Sequence, residues 1–216
     1  WTGNNTSNSK IAHGLSQAPE WIIVKNLSDA TDWWVYHKSL TADKNLKLNT
    51  NSAEGTFGTG VFDHSGITNT VFEVDNGSSN GNSINGNTDG MIAYCWHPVA
   101  GYSKFGSYKG NGSSNGPMVY TGFKPAWVMI KRRDSTSGAY WSIQDNTRVS
   151  INPKSKPLLA DTTDPESGLS AATMDFYANG FKIRNTLGSN NTSGGTYLYM
   201  AFAEHPFIGS GSKSPV

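Results

Sequence analysis

The chain has 216 residues, which is enough for one large β domain or two smaller ones, each able to bury a core. Only 15% of the residues are charged and the formal net charge is +1, so the sequence lacks the basic stripe typical of nucleic-acid binding. Its apolar runs are too short to span a bilayer. We therefore expect neither a nucleic-acid partner nor membrane insertion.

Short runs rich in β-branched and aromatic residues predict an all-β fold. In chain order, these predicted strands are 20–25, 33–37, 70–74, 91–97, 117–121, 126–131, 140–144, 181–184 and 196–203. Helical periodicity is nearly absent, and the best window, 166–174, allows one or two turns at most. The single cysteine, Cys95, excludes a disulfide within the chain, so packing and sheet hydrogen bonds must hold the fold.

One phrase occurs twice along the chain. Residues 18–25 are Ala-Pro-Glu-Trp-Ile-Ile-Val-Lys and residues 124–131 are Lys-Pro-Ala-Trp-Val-Met-Ile-Lys. The two halves also close on similar phrases, at 93–98 and 201–206. A long period kept in order predicts one structural unit used twice.

The fold predicted from this repetition is two tandem antiparallel copies, each a β-sandwich or jelly-roll-like unit, packed together. We place the first copy at 1–105 and the second at 106–216. Because Trp1 lies inside a repeated motif, we also expect the sequence to be part of a longer protein.

Three phrases, at 101–112, 120–131 and 196–207, resemble a repeat domain of bacteriophage tail-fibre and similar virion proteins, especially from marine and cyanobacterial phages. The first copy departs from that pattern at 91–96, which is Met-Ile-Ala-Tyr-Cys-Trp. The resemblance implies a protein located in the virion, with other virion subunits as partners and a homotrimeric state if it belongs to a fibre. It transfers no binding residues to this chain.

The function expected from this resemblance is a non-catalytic module of a virion appendage, for host-surface attachment or appendage structure. Its host partner would be a surface glycan or an outer-membrane receptor, and no cofactor is expected. The alternatives are a lectin-like carbohydrate-binding module and the polysaccharide depolymerase domain of a tailspike.

Candidate binding residues lie where the two copies differ. If Trp34 is a core residue like Trp141, strand alternation points Trp33 outward, where it could stack on a sugar beside Tyr36 or pack against a neighbour. The loop 75–87 is rich in amides that suit saccharide hydroxyls. Its candidates are Asn76, Asn80, Asn82 and Asn85. A merely solvated loop is the alternative.

Catalytic and metal motifs are weak. The pattern G-x-S-x-G occurs at 77–81 and 112–116, but neither place has the strand before it and the helix after it that a nucleophile elbow needs. Four scattered carboxylates leave the depolymerase alternative open: Asp63, Glu73, Asp145 and Asp175. Three more form an acidic turn, a candidate Ca²⁺ site or a solvated turn: Asp161, Asp164 and Glu166.

Overall fold

The computed structural model describes residues 1–56, 61–75, 84–166 and 171–206, and these form an all-β protein. Every strand pair in them is antiparallel, which confirms the all-β, antiparallel part of the predicted fold. Each of the nine predicted runs overlaps a strand. No helix in the described residues is long and apolar enough to cross a membrane.

The chain divides into two compact units. Unit 1 contains Trp1–His97 and Arg133–Thr136, and unit 2 contains Pro98–Arg132 and the chain from Ser137 onward. The predicted boundary after residue 105 falls inside a strand of unit 2, Ser103–Lys109. That strand is polar and contains a glycine, so its sequence gave no strand signal.

The described residues of unit 1 form seven strands in two antiparallel sheets. The strands are β1 Ser9–Ala12, β2 Trp21–Asn26, β3 Trp34–His37, β4 Leu46–Lys47, β5 Phe62–Asp63, β6 Val71–Val74 and β7 Met91–Trp96. One sheet has the order β4-β3-β2-β7 and the other β1-β6-β5. Both sheets contribute to one apolar core, which includes Ile22, Val24, Trp34, Phe62, Phe72 and Val74.

In the part of unit 2 that the structure describes there are eight strands, again in two antiparallel sheets. The strands are β8 Ser103–Lys109, β9 Met118–Tyr120, β10 Pro125–Arg132, β11 Ser142–Asp145, β12 Leu158–Leu159, β13 Met174–Tyr177, β14 Gly180–Ile183 and β15 Thr196–Ala203. The orders are β12-β11-β10-β15-β8 and β13-β14-β9. Their shared core includes Val128, Ile130, Met174, Phe181, Tyr197 and Tyr199.

The strand β3 is buried on both faces, since all four of its residues are buried. Trp34 and Trp141 are both inaccessible to solvent, whereas Trp33, which lies just before β3, is half-buried. The possible helix over 166–174 does not occur where the structure describes that window: residues 171–173 are not helical and β13 begins at Met174. Residues 167–170 lie outside the described chain.

A few buried polar groups are bonded inside unit 2. The Tyr197 hydroxyl accepts a hydrogen bond from the Thr192 amide at 2.7 Å and donates one to the Gly188 carbonyl at 2.9 Å. The Lys131 ammonium donates to the Ala139 carbonyl, and its side chain has no exposed surface. Such bonds offset the cost of removing polar groups from water.

Candidate functional site

The two predicted aromatic candidates differ in how far they are exposed to solvent. Trp33 is half-buried, and its amide donates to the Asn49 side chain at 3.0 Å. Tyr36 is only 7% exposed and packs in the core of unit 1, with its ring 4.8 Å from that of His64. Tyr36 shares a face of β3 with buried Trp34, because side chains two apart in a strand point the same way. Its proposed place at a surface binding site is therefore corrected to a core position.

The structure also places one of the predicted amide candidates away from the protein surface. Asn85 is fully buried, and its side-chain nitrogen donates to the Asn4 side chain at 3.0 Å and to the Thr6 carbonyl at 2.9 Å. It holds the segment after Trp1 in place and is not presented to a ligand. The other three, Asn76, Asn80 and Asn82, lie outside the described residues.

The acidic turn does not converge on one point. Asp161 accepts a hydrogen bond from the Trp141 amide at 3.0 Å, and burial raises the pKa of this carboxyl. Glu166 lies 3.4 Å from Arg148, while the Asp164 amide donates to the Thr162 hydroxyl. Within the described residues, no group of three or more histidine, cysteine or acidic side chains could hold a metal ion.

Three of the scattered carboxylates have bonding partners of their own. Asp63 accepts from the amide and hydroxyl of Ser65, and Glu73 pairs with Lys10 at 3.3 Å. Asp145 pairs with Arg148. The serine of the second G-x-S-x-G pattern lies in an exposed loop that leads into strand β9, and so lacks the helix of a nucleophile elbow.

The fourth carboxylate, Asp175, lies in a polar groove on the surface of unit 2. The groove has a volume of about 470 Å³. It is lined by Ser114, Asn115, Pro153, Thr173, Asp175 and Arg184. Asp175 lies in β13, Thr173 and Arg184 lie just outside the ends of β13 and β14, and Ser114 and Asn115 lie in the loop before β9.

Asp175 orients the charged groups of this groove. Its Oδ2 forms an ion pair with Arg184 Nε at 3.1 Å and accepts a hydrogen bond from the Tyr177 hydroxyl at 3.0 Å. The Arg184 amide donates a hydrogen bond to the Thr173 carbonyl at 3.0 Å, which extends the β13–β14 hairpin beyond its last ladder pair. The guanidinium is thus held at one nitrogen, while 42% of the Arg184 side chain remains exposed.

An exposed aromatic ring flanks the groove. Tyr177 is 40% exposed, and its hydroxyl is fixed by Asp175. Asn115 and Ser114, which also line the groove, are exposed. A guanidinium, an amide and hydroxyls beside a ring form a set that can bind a polyhydroxylated ligand by hydrogen bonds and stacking.

One lining residue of this groove is among the carboxylates named from the sequence. Asp175 is that residue, but its meeting with Arg184 depends on the pairing of β13 with β14, in which Met174 lies opposite Ile183. No local spacing predicts that register. The segment 112–116, whose G-x-S-x-G pattern predicts no binding role, also contributes Ser114 and Asn115 to the groove.

The fold and the groove define an all-β protein with two compact units, one of which carries a polar surface groove. The chain belongs to the DUF7483 family, a domain of unknown function, whose model matches residues 1–206. Searches of curated proteins and of solved structures found no match.

Proposed function

We propose that the chain is a non-catalytic module of a virion appendage of the tail-fibre type that attaches to a host-surface glycan through the groove of unit 2. The observation that carries the binding part is the oriented Arg184–Asp175–Tyr177 set beside exposed amide and hydroxyl groups. The virion part depends on the resemblance of the sequence phrases to phage tail-fibre repeats.

The chemistry of the groove favours a saccharide. The free edge of the Arg184 guanidinium suits a vicinal diol or a sugar carboxylate, because its donors lie in one plane. The exposed face of Tyr177 suits the apolar face of a pyranose ring. A shallow groove gives weak binding at each site, so several copies on a trimeric appendage would supply the avidity that attachment needs.

We further propose that the two units are copies of one β-sandwich. Their strand orders correspond, with β2 between β3 and β7 in unit 1 and β10 between β11 and β15 in unit 2. Trp21 lies opposite Trp96 in the first ladder, and Trp127 lies opposite Phe202 in the second. In each unit one apolar core draws on both sheets, as in a sandwich.

The test is binding of the 216-residue protein to a panel of bacterial surface glycans and to whole cells. Arg184→Ala and Tyr177→Ala should each weaken binding by about tenfold or more, since a charged hydrogen bond contributes about 1.5–3 kcal/mol. The matched control is Tyr120→Ala, an exposed tyrosine on neighbouring strand β9 that does not line the groove. Circular dichroism confirms that the variants fold.

Two results would contradict the proposal. If the control variant loses as much binding as Arg184→Ala, the groove is not the site. If the protein releases reducing ends from a polysaccharide, it is a depolymerase and not a non-catalytic module.

A further inference from the structure

The β13–β14 hairpin carries charged side chains on the face that points away from the unit 2 core. Asp175 lies directly opposite Lys182 in the ladder, and the Arg184 amide bonds to the Thr173 carbonyl just beyond it. Residues directly opposite each other, or two apart along a strand, point to the same side of a sheet. The side chains of Asp175, Lys182 and Arg184 therefore share one face of the hairpin. Phe181, on the other face, belongs to the core.

The negative charge on this face is largely covered. Only 10% of the Asp175 side chain is exposed, against 42% of the Arg184 side chain. Asp175 Oδ2 pairs with Arg184 Nε and accepts the hydrogen bond of the Tyr177 hydroxyl. That bond raises the pKa of Tyr177, so the hydroxyl keeps its proton and stays a donor to the carboxylate. An incoming ligand therefore meets the guanidinium more than the carboxylate.

Two further cations add positive charge beside the groove. Lys182 is half-buried, and no carboxylate in the described part of the chain lies within ion-pair distance of its ammonium. Lys154 follows Pro153 of the groove lining, and its buried ammonium donates to the Val149 carbonyl, a neutral acceptor, at 2.7 Å. Burial lowers the pKa of Lys154 and the charge of Asp175 acts against this, so the two groups lie near each other. These cations outnumber the one carboxylate of the groove lining.

The accessible part of Arg184 can only donate hydrogen bonds. A guanidinium has N–H groups in one plane and no acceptor. Nε is directed to Asp175, which leaves the outer edge of the group for a ligand. A carboxylate or a phosphate accepts two parallel bonds from such an edge, and these charge-assisted bonds are about twice as strong as neutral ones. A vicinal diol on the same edge offers only neutral acceptors and leaves the surplus positive charge uncompensated.

We propose that the groove is specific for an acidic saccharide, whose carboxylate or phosphate binds the outer edge of the Arg184 guanidinium, with Lys182 as a second cationic contact. This specificity rests on the glycan binding proposed for the groove and narrows it to one chemical class. The exposed groups of Ser114 and Asn115 remain for the sugar hydroxyls, and the Tyr177 ring remains for the apolar face of the sugar.

The test compares binding of the 216-residue protein to paired polysaccharides. Polygalacturonate, alginate and hyaluronate carry carboxylates on sugars of different stereochemistry, and each is paired with its carboxyl-reduced form. A phosphomannan and its dephosphorylated form test phosphate in place of carboxylate. For the polymer that binds, removal of the acidic group should weaken binding by about tenfold or more, because a charged hydrogen bond is replaced by a neutral one. The difference should shrink as salt rises from about 50 mM to about 500 mM.

Substitutions test whether the attraction belongs to the groove. Arg184→Gln should lower the affinity for the acidic form by about tenfold or more, and Arg184→Lys, which keeps the charge without the planar donors, should recover part of it. Lys182→Gln should lower that affinity by about threefold and leave the affinity for the neutral form unchanged. The matched control is Lys156→Gln, which removes the same charge at an exposed lysine outside the groove lining and should change neither affinity.

Three results overturn the proposal. The first is equal binding of the acidic and neutral forms. The second is a loss in Lys156→Gln as large as that in Arg184→Gln, which would assign the attraction to net charge alone. The third is a panel in which only neutral glycans bind and Arg184→Ala abolishes that binding; the glycan-binding function would then stand without the acidic specificity. If no glycan of either kind binds, the proposed function fails as well, so the two failures are distinguishable.

Discussion

His37 should make the stability of unit 1 sensitive to acid. Its side chain has no exposed surface, and its ring meets that of Trp21 edge-on at 5.0 Å. Nδ1 accepts a hydrogen bond from the Ser39 amide at 2.9 Å. Burial, and then the charges of Lys38 and Arg133, lower the pKa of His37 to about 3. The imidazole is therefore neutral in the folded protein over most of the acid range.

The direction of the effect follows from proton uptake. The unfolded chain protonates His37 near the ordinary pKa of 6.5, whereas the folded chain does so only near 3. Between these values the unfolded state binds more protons, so the contribution to stability is complete above pH 6.5 and is lost as the pH falls. At about pH 5 the loss relative to pH 8 is about 2 kcal/mol.

The perturbation is His37→Asn, whose side-chain oxygen can still accept from the Ser39 amide. Urea unfolding is measured at both pH values by pulsed hydrogen exchange on the β2 and β3 amides, which report on unit 1. From pH 8 to pH 5, the unfolding free energy of the unchanged protein should fall by about 2 kcal/mol more than that of the variant. His205→Asn, at an exposed histidine, is the control. Equal pH dependence of the two proteins would refute the assignment.

Three further predictions concern unit 2, each measured by urea unfolding. Tyr197→Phe leaves two backbone partners of the hydroxyl unsatisfied and should lower the free energy of unfolding by about 1–3 kcal/mol. An unchanged free energy would mean that water reaches both partners and would contradict this prediction. Gly180→Ala places a Cβ 2.1 Å from the Val119 carbonyl; it should destabilise by about 1–3 kcal/mol, and a neutral effect would contradict the close strand approach. Burial lowers the pKa of Lys131 to about 8. The free energy of unfolding of the unchanged protein should therefore rise by about 2.5 kcal/mol relative to that of Lys131→Met between pH 7 and pH 10. If the difference between the two free energies is the same at both pH values, the lowered pKa is contradicted.

The strands that sequence reasoning missed share a physical cause. β8 is polar and contains Gly106, yet it forms a ladder along the whole outer edge of β15. An edge strand has one partner and less apolar surface to bury, so its sequence carries little of the alternation that marks central strands. β13, at the end of the order β13-β14-β9, is likewise an edge strand.

The candidate sites show the limit of local patterns more sharply. Strand alternation was sufficient to place Tyr36 on the same face as Trp34, and the buried position of Tyr36 could have been predicted from it. The burial of Asn85 could not, because its partners Asn4 and Thr6 lie about 80 residues away. The composition of the loop 75–87 suggested a binding surface, whereas the Asn85 side chain makes hydrogen bonds that hold the structure together.

The sequence by itself determined the class of fold. Apolar runs of strand length fixed an all-β, antiparallel protein, and the repeated phrase around Trp21 and Trp127 marked a central strand in each unit. These features can be recognised without knowing which strands pair, because apolar runs and repeated phrases are visible in the order of the residues alone.

Only the tertiary structure decided where binding can occur. Asp175 and Arg184 meet through the register of the β13–β14 hairpin, and Asn85 is buried by partners about 80 residues away. Both depend on which segments become neighbours. Long-range pairing sets that arrangement, and a single sequence carries no direct record of it.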